Sequence, residues 1–256
     1  MLLAIDIGNT NITLGVFSET LVSSWRLSTQ PNATSDEYGT KILDLFHYAT
    51  LERAKINAVA VASVVPSLTS LFQELTKKYF DLDAFIIDEN VKNTLPNLYD
   101  NPKEVGADRI VNAVAALERV GSPCLVVDFG TATTFDCITK DKKYAGGLIV
   151  PGPNLSAESL ALHTAKLPRV AFLKPAKLIG KSTVESIQSG LYYGYVELVD
   201  GLCERLKKEL GSGCKIISTG GLASALAKDS KTIKPNSIYP NLTLEGIKLI
   251  WERNRG

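Results

Sequence analysis

Two segments of this chain, which begin 122 residues apart, carry the same pattern. Residues 3–8 read Leu-Ala-Ile-Asp-Ile-Gly and residues 125–130 read Leu-Val-Val-Asp-Phe-Gly, so each is an apolar run that ends in Asp-x-Gly. Small polar residues and then a second strand-like segment follow each run. A pattern that recurs with the same context in both halves of a 256-residue chain predicts two copies of one structural unit.

The segments around the first copy predict an α/β domain. Thr34 and Glu37 stand three residues apart and form a capping box at the start of a helix. The apolar run at 56–65 is typical of a buried parallel strand. Periodicity predicts strands at 2–6, 11–17, 21–27, 56–65 and 84–87, and helical faces at 38–49 and 68–79.

The second half continues this alternation. Gly190 and Gly194 stand inside a long predicted helix, where glycine is unfavourable. We therefore expect them to pack closely against another backbone, either within the chain or in a subunit interface. The predicted elements are helices at 106–120 and 184–206, a strand at 215–218, a helix opened by Gly220-Gly221, and a final helix at 241–254.

The domain boundary is expected near residue 120. We predict an N-terminal half at 1–119 and a C-terminal half at 120–256, with the final helix 241–254 packing back on the N-terminal half.

Composition excludes several classes of protein. The formal net charge is +1, so the chain lacks the basic excess of a nucleic-acid binder. No apolar run reaches the roughly 18 residues of a membrane span, and the N-terminus reaches Asp6 without a basic leader, which argues against a signal peptide. Four cysteines without a Cys-x-x-Cys motif, and only two histidines, argue against a zinc site. We expect a reduced, cytoplasmic protein in which neither His47 nor His163 is catalytic.

The first Asp-x-Gly turn has the chemistry of a phosphate site. Asp6 ends a strand and can recruit a hydrated Mg²⁺, Gly8 permits a tight turn, and the residues at 9–11 offer donors. An ordinary β-turn uses the same residue types, but two copies at strand ends favour ligand binding. The second copy, Asp128–Thr134, is richer in hydroxyls, and across a cleft each turn would hold one side of a triphosphate. The chain has no Walker loop and no Gly-x-Gly-x-x-Gly after a strand.

A second candidate site is the pair Asp108-Arg109 at a predicted helix start. Such a pair often forms only a surface salt bridge. However, a carboxylate can take the proton of a hydroxyl that attacks phosphorus. A guanidinium can bind a carboxylate or phosphate with two parallel hydrogen bonds, and helix N-terminal amides add anion affinity.

These motifs resemble the type III pantothenate kinases of the acetate kinase/sugar kinase/Hsp70/actin superfamily. The resemblance covers the whole chain and rests on Asp6–Thr10, Gly106-Ala107-Asp108-Arg109, Asp128–Thr134 and the glycine-rich stretch 146–152. It implies an α/β fold with two duplicated ribonuclease H-like domains, the actin-like ATPase fold, and an interdomain cleft. It also implies ATP-dependent phosphorylation of the primary hydroxyl of pantothenate to 4′-phosphopantothenate, the first step of coenzyme A biosynthesis.

The resemblance further implies roles for individual residues. Asp108 is the catalytic base, Asp6 binds Mg²⁺ through water, and Asp128 binds a monovalent cation, K⁺ or NH₄⁺; on chemistry alone, Asp128 suits Mg²⁺ equally well. The family forms homodimers. The implied substrate-binding residues are Tyr99, Gly106, Ala107, Asp108, Arg109 and Thr183. The implied ATP-binding residues are Asp6, Ile7, Gly8, Asn9, Thr10, Asn11, Ile12, Thr13 and Thr131.

Two alternatives remain at this point. One is another phosphotransferase or phosphatase of the superfamily, which would prefer a different acceptor. The other is a non-enzymatic transcriptional accessory protein. Because Asp6, Asp108, Asp128 and Thr131 are all present, the sequence favours the enzyme.

Overall fold

The structure is a computed structural model that describes residues 1–255. It divides into two compact units: residues 1–118 together with the chain from Asn241 onward, and residues 119–240. None of the described helices is both long enough and apolar enough to cross a bilayer.

Nine strands and seven α-helices are found in the described residues. The strands are β1 (Leu2–Ile7), β2 (Asn11–Phe17), β3 (Leu21–Ser28), β4 (Ala58–Ser63), β5 (Phe85–Ile87), β6 (Cys124–Phe129), β7 (Ala132–Ile138), β8 (Tyr144–Pro151) and β9 (Lys215–Gly220). The helices are α1 (Ser35–Tyr48), α2 (Pro66–Phe80), α3 (Ala107–Val120), α4 (Pro153–Leu162), α5 (Thr183–Leu210), α6 (Ala223–Leu226) and α7 (Leu242–Asn254).

The first unit is built on a five-stranded sheet in the order β3-β2-β1-β4-β5. β1, β2 and β3 pair antiparallel, whereas β4 pairs parallel with β1 and with β5. The predicted buried parallel strand is therefore confirmed, although it is shorter than 56–65. The capping box of α1 is also confirmed: Thr34 Oγ1 accepts the Glu37 N–H at 3.3 Å, and the Glu37 carboxylate accepts the Thr34 N–H at 2.7 Å.

Both faces of this sheet are covered. Apolar residues of α1 and α2 form a core with alternate residues of β1 and β2. The C-terminal helix α7 contacts β1, β2 and β4. Gly246 of α7 lies against α3, where a Cβ would come within 2.0 Å of the Val111 carbonyl oxygen. Glycine at this position lets the backbones of α7 and α3 approach each other. The last helix thus packs on the first unit and belongs to it.

The second unit repeats the design in a four-stranded sheet ordered β8-β7-β6-β9. β6 pairs antiparallel with β7 and parallel with β9, as β1 does with β2 and β4. The burial patterns match position by position between β1 and β6, and between β2 and β7. In β1 and β6 the one strand position that stays partly exposed is the aspartate, Asp6 or Asp128. The repeat in the sequence is thus a repeat in the structure.

One expectation for the second half needs correction, whereas the helix expected after Gly220-Gly221 is present. A Cβ at Gly190 or Gly194 would meet no atom within 4 Å among the described residues, so close packing within the chain is wrong. The packed face of α5 is formed instead by residues such as Tyr192, Tyr195 and Val199. The helix after Gly220-Gly221 is only four residues long. All four cysteines are buried free thiols.

Candidate active site

The first Asp-x-Gly hairpin joins β1 to β2. Asp6 pairs with Thr13 in register and is half-buried, whereas Asn9 and Thr10 at the tip are exposed. The Gly8 N–H donates to the Asn11 carbonyl oxygen at 3.0 Å. A Cβ at Gly8 would lie 3.1 Å from that oxygen, which explains glycine at this tight turn.

The predicted ATP-binding residues of this hairpin differ in what they can offer. Ile7 and Ile12 are fully buried in the core, so only their backbone can reach a ligand. Asn9 and Thr10 are exposed residues.

The second hairpin joins β6 to β7 with a shorter loop. Asp128 pairs with Thr134 in register, and Thr131 is exposed at the tip. Thr134 Oγ1 donates to Asp136 Oδ2 at 3.0 Å, and buried Thr133 accepts the hydroxyl of Tyr195. Two of the hydroxyls that made this motif look rich in donors therefore serve the interior of the unit, and Thr131 is the exposed one.

A buried polar cluster supports the second hairpin from within. Asp136 is fully buried, and the Tyr144 hydroxyl donates to its Oδ1 at 2.7 Å. Alternation alone did not reveal this cluster, since an aspartate in a strand reads as a solvent-facing position. The signal that would have found it is the position of Asp136 directly between Phe135 and Cys137, both apolar.

Asp108 lies in the first turn of α3, after Gly106. Its Oδ1 accepts the Arg109 N–H at 2.8 Å. Burial raises the pKa of the Asp108 carboxyl above its usual value, although the N–H and the charge of Arg109 act in the opposite direction. The Arg109 side chain is only 5% exposed, so the surface salt bridge considered for this pair is wrong.

Gly106 leaves space for this carboxylate. A Cβ at position 106 would lie 2.5 Å from Asp108 Oδ1 and 3.2 Å from Val64 Cγ1. Both distances are too short for ordinary contact, so any side chain here would displace the carboxylate.

The remaining predicted substrate residues lie in different parts of the chain. Tyr99 is half-buried in the irregular segment before α3, and its N–H donates to Asn97 Oδ1 at 3.0 Å. Thr183 is the first residue of α5 and lines a cavity of about 640 Å³ together with Lys181 and Ser186. Tyr99 and the stretch 106–109 belong to the first unit, and Thr183 belongs to the second.

Gly220 has a structural role at the end of β9. Its φ is +90°, and a Cβ would lie 2.6 Å from the backbone of Phe129 in β6. Close strand packing and a left-handed conformation therefore account for this glycine without a ligand.

Comparison with known proteins shows which family this chain belongs to. The sequence profile of the type III pantothenate kinases matches residues 2–205. The chain belongs to the type III pantothenate kinase family. The type III pantothenate kinase of Myxococcus xanthus is 51% identical over 255 residues, covering 99% of each chain. That of Geobacter sulfurreducens is 48% identical over the full length of both.

Solved structures agree on the fold. A Baf family transcriptional activator from Campylobacter jejuni superposes with a TM-score of 0.59 at 19% identity, covering 98% of each chain. The activator of 2-hydroxyisocaproyl-CoA dehydratase from Clostridium difficile, with bound ADPNP, gives 0.54 at 14% identity and covers 99% of this chain and 97% of that one. The protein therefore has the predicted fold of the actin-like ATPases and sugar kinases.

Proposed function

We propose that this protein transfers the γ-phosphoryl group of ATP to the primary hydroxyl of pantothenate, with Asp108 as the base and the two Asp-x-Gly hairpins as the phosphate-binding elements. The product is 4′-phosphopantothenate, and the reaction is the first step of coenzyme A biosynthesis. The observation that carries the proposal is the full-length similarity to type III pantothenate kinases, and the environment of Asp108 agrees with it.

Asp108 is suited to accept a proton. As the substrate oxygen forms its bond to the γ-phosphorus, the bond from that phosphorus to the bridging oxygen of ADP breaks, and the hydroxyl proton moves to the carboxylate. Partial burial raises the pKa of Asp108 and makes it a better base than an exposed aspartate. Its hydrogen bond from the Arg109 N–H fixes the direction of the carboxylate.

The residues of the first hairpin fit a metal ion that arrives with the nucleotide. Among the described residues no three His, Cys, Asp or Glu side chains form a dedicated metal site. Mg²⁺ commonly binds through one or two carboxylates, waters and substrate phosphates, so the single carboxylate of Asp6 is a sufficient protein anchor. When bound, Mg²⁺ would neutralise phosphate charge, while the hairpin residues 9–11 and Thr131 would donate hydrogen bonds to phosphate oxygens.

Asp128 fits a monovalent cation by its donor chemistry. It is a half-buried carboxylate near the end of β6, beside the exposed loop residues Gly130 and Thr131. Carboxylate and carbonyl oxygens suit hard cations. We assign K⁺ or NH₄⁺ to this position.

We also propose a cytoplasmic homodimer, with α5 in the subunit interface. The glycines at 190 and 194 leave an exposed stretch of bare backbone, and Leu198 continues this face with a side chain that is 37% exposed. A smooth, partly apolar helix face allows close approach of a second chain. The buried free thiols agree with a reducing compartment.

Replacing the base tests the chemical step. Asp108→Asn keeps the shape of the side chain but cannot accept the proton, so we expect kcat to fall about 10²- to 10⁴-fold while ATP still binds. A coupled ADP-release assay with pantothenate measures kcat, and calorimetry measures ATP affinity. A variant with nearly wild-type kcat would remove Asp108 from this role.

Gly106→Ala tests the placement of the base. The added methyl group overlaps Asp108 Oδ1, so we expect kcat to fall about 10- to 100-fold with little change in the KM for ATP. Gly201→Ala is the matched control, because a Cβ at that position meets nothing within 4 Å among the described residues. Equal kcat for the two variants would contradict the steric argument.

Cation dependence tests the role of Asp128. We expect turnover to rise when K⁺ or NH₄⁺ replaces tetramethylammonium at constant ionic strength, since the larger ion cannot enter a small oxygen-lined site. Asp128→Asn should lose this response. Wild-type turnover that is the same in all three salts would exclude the cation site.

The assembly is tested by light scattering. We expect the wild-type protein to have the mass of two chains and Leu198→Asp that of one, because a charge would be buried in the interface. Val22→Asp, at a similarly exposed position on β3, should remain dimeric. A monomeric wild-type protein would refute the dimer, and a dimeric Leu198→Asp variant would refute the proposed face.

A further inference from the structure

The segment that follows β3 holds the first hairpin from the side. Thr29 makes two hydrogen bonds to it: its N–H donates to the Thr10 carbonyl oxygen at 2.9 Å, and its hydroxyl donates to the Gly8 carbonyl oxygen at 2.7 Å. One residue therefore binds the backbone on both sides of Asn9, at the tip of the hairpin.

The second unit shows which of these two bonds belongs to the shared fold. There the residue after the third strand is Gly152, whose N–H donates to the Thr131 carbonyl oxygen at 3.0 Å. A Cβ at Gly152 would lie 2.3 Å from that oxygen and 2.8 Å from the Gly130 carbonyl oxygen. The backbone bond is thus common to both units, whereas the second unit excludes a side chain at the position where the first has Thr29.

Thr29 is itself held by the core of the first unit. The N–H of the next residue, Gln30, donates to the hydroxyl oxygen of Tyr38 at 2.7 Å. Tyr38 is fully buried in α1 and packs against Phe72, with ring centroids 5.2 Å apart. The hairpin is therefore connected to the buried core of the unit through Thr29 and Gln30.

The hydroxyl bond has a consequence for the neighbouring amide. The peptide group between Gly8 and Asn9 is planar, and in the trans form its C=O and N–H point in opposite directions. Since the carbonyl oxygen is directed at the Thr29 hydroxyl, the Asn9 N–H is directed away from Thr29.

We infer that Thr29 is a positioning residue for nucleotide binding: its hydroxyl fixes the Gly8–Asn9 peptide so that the Asn9 N–H is preoriented to donate to a phosphate oxygen. The inference rests on the proposed binding of ATP by this hairpin. Without the hydroxyl the peptide group is able to rotate, and the nucleotide must then order it on binding.

Three variants separate this role from a structural one. Thr29→Val keeps the branched shape without the hydroxyl, Thr29→Ser keeps the hydroxyl, and Thr29→Ala removes both in case the valine variant does not fold. Thr76→Val is the matched control, since buried Thr76 donates its hydroxyl to the Gln73 carbonyl oxygen at 3.0 Å within α2.

The expected result is a selective loss of nucleotide affinity. Thr29→Val and Thr29→Ala should raise the KM for ATP, and the Kd for Mg-ADP measured by calorimetry, about three- to tenfold, as expected for one lost hydrogen bond. The KM for pantothenate should stay within about twofold, and Thr29→Ser should restore nucleotide affinity. Thr76→Val should lower the melting temperature without changing the KM for ATP.

Other results would overturn the inference. Unchanged Mg-ADP affinity in Thr29→Val and Thr29→Ala, no rescue by serine, or an equal rise in the KM for pantothenate would each do so. If the wild-type protein binds Mg-ADP but does not turn over pantothenate, the proposed reaction fails, and the calorimetric comparison still decides the role of Thr29. If the wild-type protein binds no nucleotide, both proposals are wrong.

Discussion

Each unit of this protein depends on the tight turn that follows its first buried strand. In both units a backbone N–H from the residue after the third strand binds a carbonyl oxygen of that turn, from Thr29 to Thr10 and from Gly152 to Thr131. This bond closes the antiparallel part of the sheet over the hairpin. The position of the aspartate at the strand end, and of the polar tip beside it, follows from this closure.

The two copies have kept the backbone and diverged in side chains. The first hairpin contains Asn9 and Asn11, and Thr29 lies beside it. The second contains exposed Thr131, and Gly152 takes the place of Thr29. This divergence agrees with the different roles that we propose for the two aspartates, Asp6 in binding nucleotide-bound Mg²⁺ and Asp128 in binding a monovalent cation. Four strands of each sheet share one order, β3-β2-β1-β4 and β8-β7-β6-β9, and burial matches between the units in the first two strands of each.

Sequence patterns predicted the fold well where periodicity and local chemistry agree. The Asp-x-Gly repeat and the capping box at Thr34 depend on neighbouring residues, so they could be read directly. Three features depend on distant residues. Gly246 owes its role to Val111, the Thr29 hydroxyl reaches Gly8 across the sheet, and Gly190 and Gly194 face away from the packed side of their helix. The strand β8 was not predicted, because its glycine-rich stretch reads as turns, and the helix α4 was not predicted either.

The same distinction holds for the site. The identity of Asp108 as a candidate base followed from residue type and family resemblance, but its partial burial and the space that Gly106 leaves for it are properties of the folded chain. The threonine hydroxyls of the second hairpin look equivalent in the sequence. In the structure Thr133 and Thr134 form hydrogen bonds inside the unit, whereas Thr131 is exposed.

The most direct test of the central claim is to identify the phosphoryl acceptor. Purified protein with Mg-ATP and K⁺ would be assayed for ADP release with pantothenate, with a panel of hexoses, and with no acceptor, and the products would be identified by mass spectrometry. The account predicts ADP release only with pantothenate, matched one to one by 4′-phosphopantothenate. Phosphorylation of a sugar without phosphorylation of pantothenate, or ADP release that is independent of any acceptor, would contradict it.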